Sequence, residues 1–237
     1  MSNILSATKY QLTFFKSQSL LCISIIAFNI LISLAVTYLF TGSGVSAGSS
    51  DVVAIIWIFI MGVLSFSASF KFMLANAVSR KSLFWANILS MVITSATWAV
   101  VITLVLSLIS KLQLQAIVLY PVFYKDNSIL GAIVWFFGIF FLLIVLGWFI
   151  TMVYYRSSKR MAYAITLAPF ILSGLLLIIN QETSGKLFDS MSQFYMSAMG
   201  FSDSLPNPYI ASFSMLLLAL IICAFNYLLI RRAQIKD

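Results

Sequence analysis

The chain contains no histidine and few charged side chains of either sign. Without histidine it can support neither Ser-His nor Cys-His catalysis, and it has neither a histidine-ligated zinc site nor a histidine proton relay. Charged residues make up 8% of the 237 residues, whereas soluble domains average about 25%. A water-soluble fold cannot cover its surface with so little charge, so the sequence indicates an integral membrane protein.

The apolar residues occur in long runs, and the mean hydropathy is +1.07. Such runs indicate helices, because barrel strands would be alternating segments of about 10 residues. A helix needs roughly 20 residues to cross about 30 Å of hydrocarbon. We therefore predict an all-α polytopic membrane protein in which residues 1–237 form a single transmembrane domain. The six predicted spans are Leu20–Phe40, Val52–Phe70, Ile88–Ser110, Ile129–Val153, Met161–Ile179 and Tyr209–Ile230.

The net charge of +8 is distributed unevenly between the predicted loops. With both termini placed inside, eleven basic residues face the cytoplasm and three face outward. Five of the six acidic residues fall outside. This is the positive-inside bias, so the basic balance reports topology and predicts no nucleic-acid partner. The three outward basic residues are Lys111, Lys125 and Lys186.

Several kinds of chemistry are missing from the predicted spans and loops. The spans as predicted contain no ionisable acid or base, which argues against an ion-coupled carrier and a voltage sensor. The segment Ser184–Leu187 lacks the spacing of a phosphate-binding loop, so the chain cannot hydrolyse ATP. No paired carboxylates or nucleophile constellation favours an enzyme. Cys22 and Cys223 lie in apolar runs and are interpreted as reduced core residues.

The first segment, residues 1–19, is amphipathic when drawn as a helix. We predict an elbow helix in the inner membrane interface, with Lys9 and Lys16 toward the headgroups and Leu12 and Phe15 on the apolar face. The alternative is the charged start of a signal peptide. The following apolar run is longer than a signal core and favours a retained span.

Residues 71–85 form a basic and apolar segment between the second and third spans. The segment carries Lys71, Arg80 and Lys81 and no acid, and its length argues against a tight turn. One interpretation is a docking element through which a soluble partner drives the membrane part. The other is a topogenic loop that only fixes orientation. The residues proposed to couple are Asn76, Ser79, Arg80, Lys81, Phe84 and Trp85.

The loop before the last span, residues 180–208, contains a second amphipathic stretch. Leu187 to Met199 has helical periodicity, and Gly200 is a natural stop. The predicted outer helix either rests on the leaflet, with or without a role, or dips back as a re-entrant segment. Its apolar face supplies the outer gate candidates Leu187, Met191, Phe194 and Tyr195.

The layout and the stretch Asn76–Phe84 resemble the permease subunits of type 2 ABC exporters, in particular those of Gram-positive bacteria. The stretch reads Asn-Ala-Val-Ser-Arg-Lys-Ser-Leu-Phe. The resemblance implies that residues 71–85 act as the coupling helix on an ATPase subunit. It also implies two ATP-binding subunits, which hold ATP and magnesium, and a second permease copy that makes a homodimer. This chain itself is expected to hold no cofactor.

The resemblance further implies export across a bacterial cytoplasmic membrane, in contact with membrane lipids. The expected substrate is an amphipathic or hydrophobic molecule, and a peptide of the antimicrobial or toxin type fits the small outer loops. Export of a lipid or a drug is an alternative. A membrane immunity or scaffold protein that transports nothing is another, because such a protein needs no motif.

Overall fold

The computed structural model describes residues 2–41, 49–76, 78–112, 118–125, 128–201 and 206–231. Within these ranges the secondary structure is helical and contains no strand, which confirms the predicted all-α architecture. The helices are α1 (Ser2–Thr41), α2 (Ser50–Ala75), α3 (Arg80–Lys111), α4 (Leu119–Tyr124), α5 (Ile129–Arg156), α6 (Lys159–Glu182), α7 (Lys186–Ala198) and α8 (Pro208–Arg231).

Five of these helices, α1, α3, α5, α6 and α8, are long and apolar enough to cross a membrane. Helix α2 has 26 residues, and its stretch Ser50–Phe66 is a shorter apolar helix. The structure therefore supports a multi-pass membrane protein. The second predicted span, Val52–Phe70, corresponds to α2.

Helix α5 lies at the centre of the bundle and packs against α2, α3 and α8. Its side chains Phe136, Phe140, Ile144 and Trp148 are fully buried. A helix that is apolar all round belongs in the interior of a bundle. Helix α5 also has the most apolar window of the five candidate spans, which suits this central position.

Helices α2 and α5 cross at a point where both lack a side chain. A Cβ atom on Gly147 would lie 2.5 Å from the carbonyl oxygen of Phe59, and one on Gly62 would overlap the carbonyl oxygen of Ile144. Real Cβ atoms do not approach backbone so closely. Small residues allow membrane helices to approach in this way and gain van der Waals contact.

The two ends of the bundle differ in charge. At one end, called here the basic end, Arg80 begins α3, Arg156 ends α5 and Arg231 ends α8. The Arg80 guanidinium donates a hydrogen bond of 2.8 Å to the carbonyl oxygen of Arg231. At the opposite end, the buried carboxylate of Asp51 accepts a hydrogen bond of 2.7 Å from the Leu119 N–H and so fixes α4 to α2.

Helix α1 is one uninterrupted helix of 40 residues, which corrects the prediction of a separate elbow helix over residues 1–19. Its sequence contains neither glycine nor proline that would interrupt it. Its buried side chains include Ala7, Gln11, Phe15 and Cys22, and the helix packs along α3 and α2. The N-terminal segment is therefore a part of the bundle.

Helix α6 stands apart from the rest of the bundle. None of its residues is buried. Near its start, the hydroxyl groups of Tyr154 and Thr166 share a hydrogen bond of 2.7 Å that ties it to α5. An apolar helix that is exposed on all sides is suited to contact with lipid, because lipid tails are as apolar as its own side chains.

Candidate functional site

The predicted docking segment, residues 71–85, contains a sharp turn at the basic end. Helix α2 ends at Ala75 and α3 begins at Arg80, so four residues connect the two helices. The expectation that this segment is too long for a tight turn is wrong, because the two helices take up most of its positions. Ala77 lies outside the described residues.

The turn is held by hydrogen bonds from its own side chains. The Ser79 hydroxyl caps α3 by accepting the N–H of Ser82 over 3.1 Å. Such a cap satisfies one of the free N–H groups at the start of a helix. The Asn76 side-chain amide donates to the carbonyl oxygen of Phe72 over 2.8 Å. Both polar residues predicted in the segment therefore define the shape of the turn.

The two aromatic residues after the turn have opposite environments. Phe84 is 6% exposed, and its ring centroid lies 5.1 Å from that of Tyr227 and 5.9 Å from that of Trp148. Phe84 thus packs in the interior of this chain and does not reach the surface that a partner would contact. Trp85 is 51% exposed and is the aromatic side chain that this end of α3 presents.

The exposed residues form one patch, called here the turn surface, which consists of Asn76, Ser79, Arg80, Lys81 and Trp85. Its charge is positive, because it carries two cations and no acid. The bond from Arg80 to the last turn of α8 also places a cation at the negative end of that helix dipole. The turn surface therefore joins three helices, α2, α3 and α8.

Helix α1 borders the turn surface on one side. The ring of Tyr10 stacks on Phe72 with a centroid distance of 4.7 Å. A shallow groove of about 280 Å³ lies beside this stack and is lined by Ser6, Met73 and Asn76 among others. A partner on the turn surface would therefore contact the start of α1 as well.

The four residues predicted to anchor an elbow helix lie in different environments. Phe15 is buried in the bundle and Leu12 is half-buried, whereas Lys9 and Lys16 are exposed. Because α1 runs beside α3, the two lysines lie on a helix that packs within the bundle. Both lysines precede the first predicted span, Leu20–Phe40, but they belong to the same continuous helix.

The amphipathic helix predicted at Leu187 to Met199 is confirmed as α7, which begins one residue before the expected start and ends one residue earlier. Of the four gate candidates, Met191, Phe194 and Tyr195 are exposed and Leu187 is half-buried. The apolar face of α7 is therefore not covered by described residues of this chain. Helix α7 follows directly on α6, and the two helices contact one another.

The far end of α7 is fixed to α4 at the opposite end of the bundle. Gly200 ends the helix with φ of 73°, and a Cβ atom there would overlap the carbonyl oxygen of Asn207. The Tyr124 hydroxyl donates to the carbonyl oxygen of Met199 over 3.0 Å, and its ring stacks on Phe201. Burial raises the pKa of the Tyr124 hydroxyl.

The sequence did not indicate the polar contacts between α1 and α3. The buried side-chain amide of Gln11 donates to the side-chain oxygen of Asn87. Further along, the Trp98 indole N–H donates to the Ser19 hydroxyl over 3.0 Å. Helix α1 contains neither glycine nor proline. This could have indicated one continuous helix, long enough to pack along α3 from its first turns.

No family model matches the chain, and neither a curated protein nor a solved structure matches it.

Proposed function

We propose that the chain is the permease subunit of an ATP-driven exporter of the type 2 ABC class, driven by a separate ATPase subunit that docks on the turn surface. The observation that carries this proposal is the exposed, positively charged junction of α2, α3 and α8. A force applied there acts directly on three helices that all contact α5.

The need for a partner follows from what the chain lacks. Its sequence has no phosphate-binding loop, so ATP and magnesium belong to the partner. Two copies of that ATPase would act on two copies of this chain. In the proposed homodimer, the second copy of the chain would cover helices that are exposed in the single chain, such as α6 and α7.

The proposal also includes which end of the bundle faces the cytoplasm and whether α2 crosses the membrane. The basic end faces the cytoplasm, because positively charged loops stay inside. Helix α2 crosses the membrane in addition to the five long apolar helices, which gives six spans in all. Both termini are then cytoplasmic, although Arg232 and Lys236 lie outside the described residues. With the native Cys22 and Cys223 replaced, a cysteine at Ser192 should react with an impermeant reagent added outside, and one at Ser79 should not.

The substrate is proposed to be amphipathic or hydrophobic, most simply a peptide. The exposed apolar face of α7, with Met191, Phe194 and Tyr195, lies on the outer side in this arrangement and suits a gate for such a molecule. An exported lipid or drug would use the same face.

The decisive experiment measures copurification of the ATPase and its coupling to export in membranes. Trp85→Ala should weaken copurification, since loss of an interface aromatic costs about 2 kcal/mol or more. Arg80→Ala should have a smaller effect that depends on salt, because rim charges mainly alter the association rate. Tyr163→Ala and Arg160→Ala are matched controls, since both side chains are exposed outside the turn surface.

The contrary outcome is also specific. If Trp85, Arg80 and Lys81 can all be alanine while binding, ATP hydrolysis and export stay unchanged, the turn surface is only a topogenic loop. If no ATPase copurifies with the unaltered chain under any condition, a membrane immunity or scaffold role replaces the exporter.

A further inference from the structure

Helices α1 and α3 run side by side in the same direction. Their contacts show which residues of the two helices lie at the same height along the bundle. Gln11 pairs with Asn87, and Ser19 pairs with Trp98. Lys16 lies between these two contacts and lines the same cleft as Thr94. At 1.5 Å per residue, Thr94 is about 21 Å from the start of α3 at Arg80 and about 25 Å from its end.

This register places Lys16 well inside the membrane. Helix α3 has 32 residues and is about 48 Å long. When the helix is centred on the membrane and perpendicular to it, it extends beyond roughly 30 Å of hydrocarbon by about 9 Å at each end. The backbone of Lys16 then lies about 12 Å below the inner hydrocarbon surface. Its long side chain leans toward the helix N-terminus and extends toward that surface, where the headgroups lie. An ionisable residue at such depth usually marks a binding site or a pathway.

The cleft around Lys16 combines one cation, several hydroxyl groups and apolar walls. Its volume is about 220 Å³. The Ser19 hydroxyl accepts the Trp98 N–H, which leaves its own hydrogen available to donate. Lys16 and Thr97 are exposed on the outside of the bundle, so the cleft opens sideways toward lipid. Its lining residues are Leu12, Phe15, Lys16, Ser19, Ile93, Thr94, Thr97 and Trp98.

The charge on Lys16 has no opposite charge on the helices around it. By sequence, Asp51 is the one acidic residue in α1, α2 and α3. Its carboxylate lies at the opposite end of the bundle and accepts the N–H groups of Val52 and Leu119. A cation near the centre of a membrane costs about 2.5–3.5 kcal/mol even on the mildest scale. A bound anion would offset that cost.

We infer that the cleft between α1 and α3 binds an anionic phospholipid, with the headgroup phosphate paired to the Lys16 ammonium. The occupant is taken from the bilayer because the cleft opens to lipid, and phospholipids are the anions that the bilayer itself supplies. Ser19 donates a hydrogen bond to the phosphate. Ile93, which is level with Lys16, contacts the first part of the acyl chains, and Leu12 lies one helical turn nearer the headgroups. This site is separate from the turn surface and does not depend on the proposed ATPase.

The test uses the full chain, purified and exchanged into mixtures of phosphatidylglycerol and phosphatidylcholine, with native mass spectrometry to count retained lipids. The unaltered chain should retain phosphatidylglycerol preferentially. Lys16→Met should reduce that preference about tenfold, by removing a charge-assisted contact, and Lys16→Arg should keep it. Lys159→Met, which removes an exposed lysine at the start of α6, should leave the preference unchanged.

Three results would overturn the inference. The first is equal retention of the two lipids by the unaltered chain. The second is an unchanged preference in Lys16→Met, a variant expected to fold because it removes a charge from the membrane. The third is displacement of phosphatidylglycerol by an equal concentration of oleate, which would make the occupant a free carboxylic acid.

Discussion

The side-chain amide of Gln11 donates a hydrogen bond to the side-chain oxygen of Asn87, and both residues are buried between α1 and α3. Gln11→Leu should lower the free energy of unfolding by about 1 kcal/mol, because it leaves the Asn87 amide without that partner in an apolar setting. Thr13→Ala is the control, since Thr13 is exposed on the same helix.

A double-mutant cycle separates the pair from its surroundings. If the bond is responsible, Gln11→Leu with Asn87→Leu should cost less than the sum of the two single changes. Strictly additive losses, measured by unfolding in mixed micelles, would mean that the two amides do not stabilise each other.

The crossing of α2 and α5 gives a second prediction. Gly62→Ala and Gly147→Ala should each lower stability by about 1–3 kcal/mol, because the added methyl group meets backbone that must move apart. Gly174→Ala in α6 is a matched control, since nothing lies within 4 Å of its Cβ position. Thermal unfolding in detergent is the measurement. Equal midpoints for all three variants would contradict the close approach.

The carboxylate of Asp51 should control the order of α4. Asp51→Ala removes the acceptor of the Leu119 N–H, a bond to a charged group worth about 1.5–3 kcal/mol. Hydrogen exchange at Leu119 should then be about tenfold faster or more. Asp51→Asn, which keeps one oxygen, should have an intermediate effect. Asp189→Ala serves as the control, since Asp189 is an exposed acid in the first turn of α7, and unaltered exchange in Asp51→Ala would refute the role.

Substitutions of Phe84 and Trp85 should have different effects on stability, because Phe84 is buried and Trp85 is exposed. Phe84→Ala should lower the free energy of unfolding by about 3–5 kcal/mol, because it leaves a cavity beside Trp148 and Tyr227. Trp85→Ala should change it by about 0.5 kcal/mol or less, as is usual for surface positions. The measurement is unfolding of the isolated chain without any partner. A loss of stability for Trp85→Ala as large as that for Phe84→Ala would show that Trp85 also belongs to the core.

The sequence predicts those features that depend on local pattern. Helix α7 was predicted within one residue at each end, because an amphipathic period and the stop at Gly200 are local signals. The central position of α5, in contrast, depends on which helices pack against one another, and a local sequence pattern does not determine this.

The errors at the start of the chain and at the turn have a shared cause. An amphipathic period shows that one face of a helix is apolar, but not whether lipid or protein covers it. Phe15 was assigned to lipid and packs against protein, and Phe84 was assigned to a partner and packs against Tyr227. Both residues are in helices as expected, and only the surroundings of their apolar faces differ.

The pairing of α5 with α8 has a consequence for how the chain matures on the ribosome. Helix α8 is synthesised after α6 and α7, yet its Asn226 amide reaches the Val145 carbonyl, and its Ser212 packs against Gly138. Until α8 arrives, the nascent bundle keeps one side of α5 open inside the insertion machinery. A slow step in translation between α5 and α8 would therefore prolong the stage at which quality-control proteases can recognise this chain.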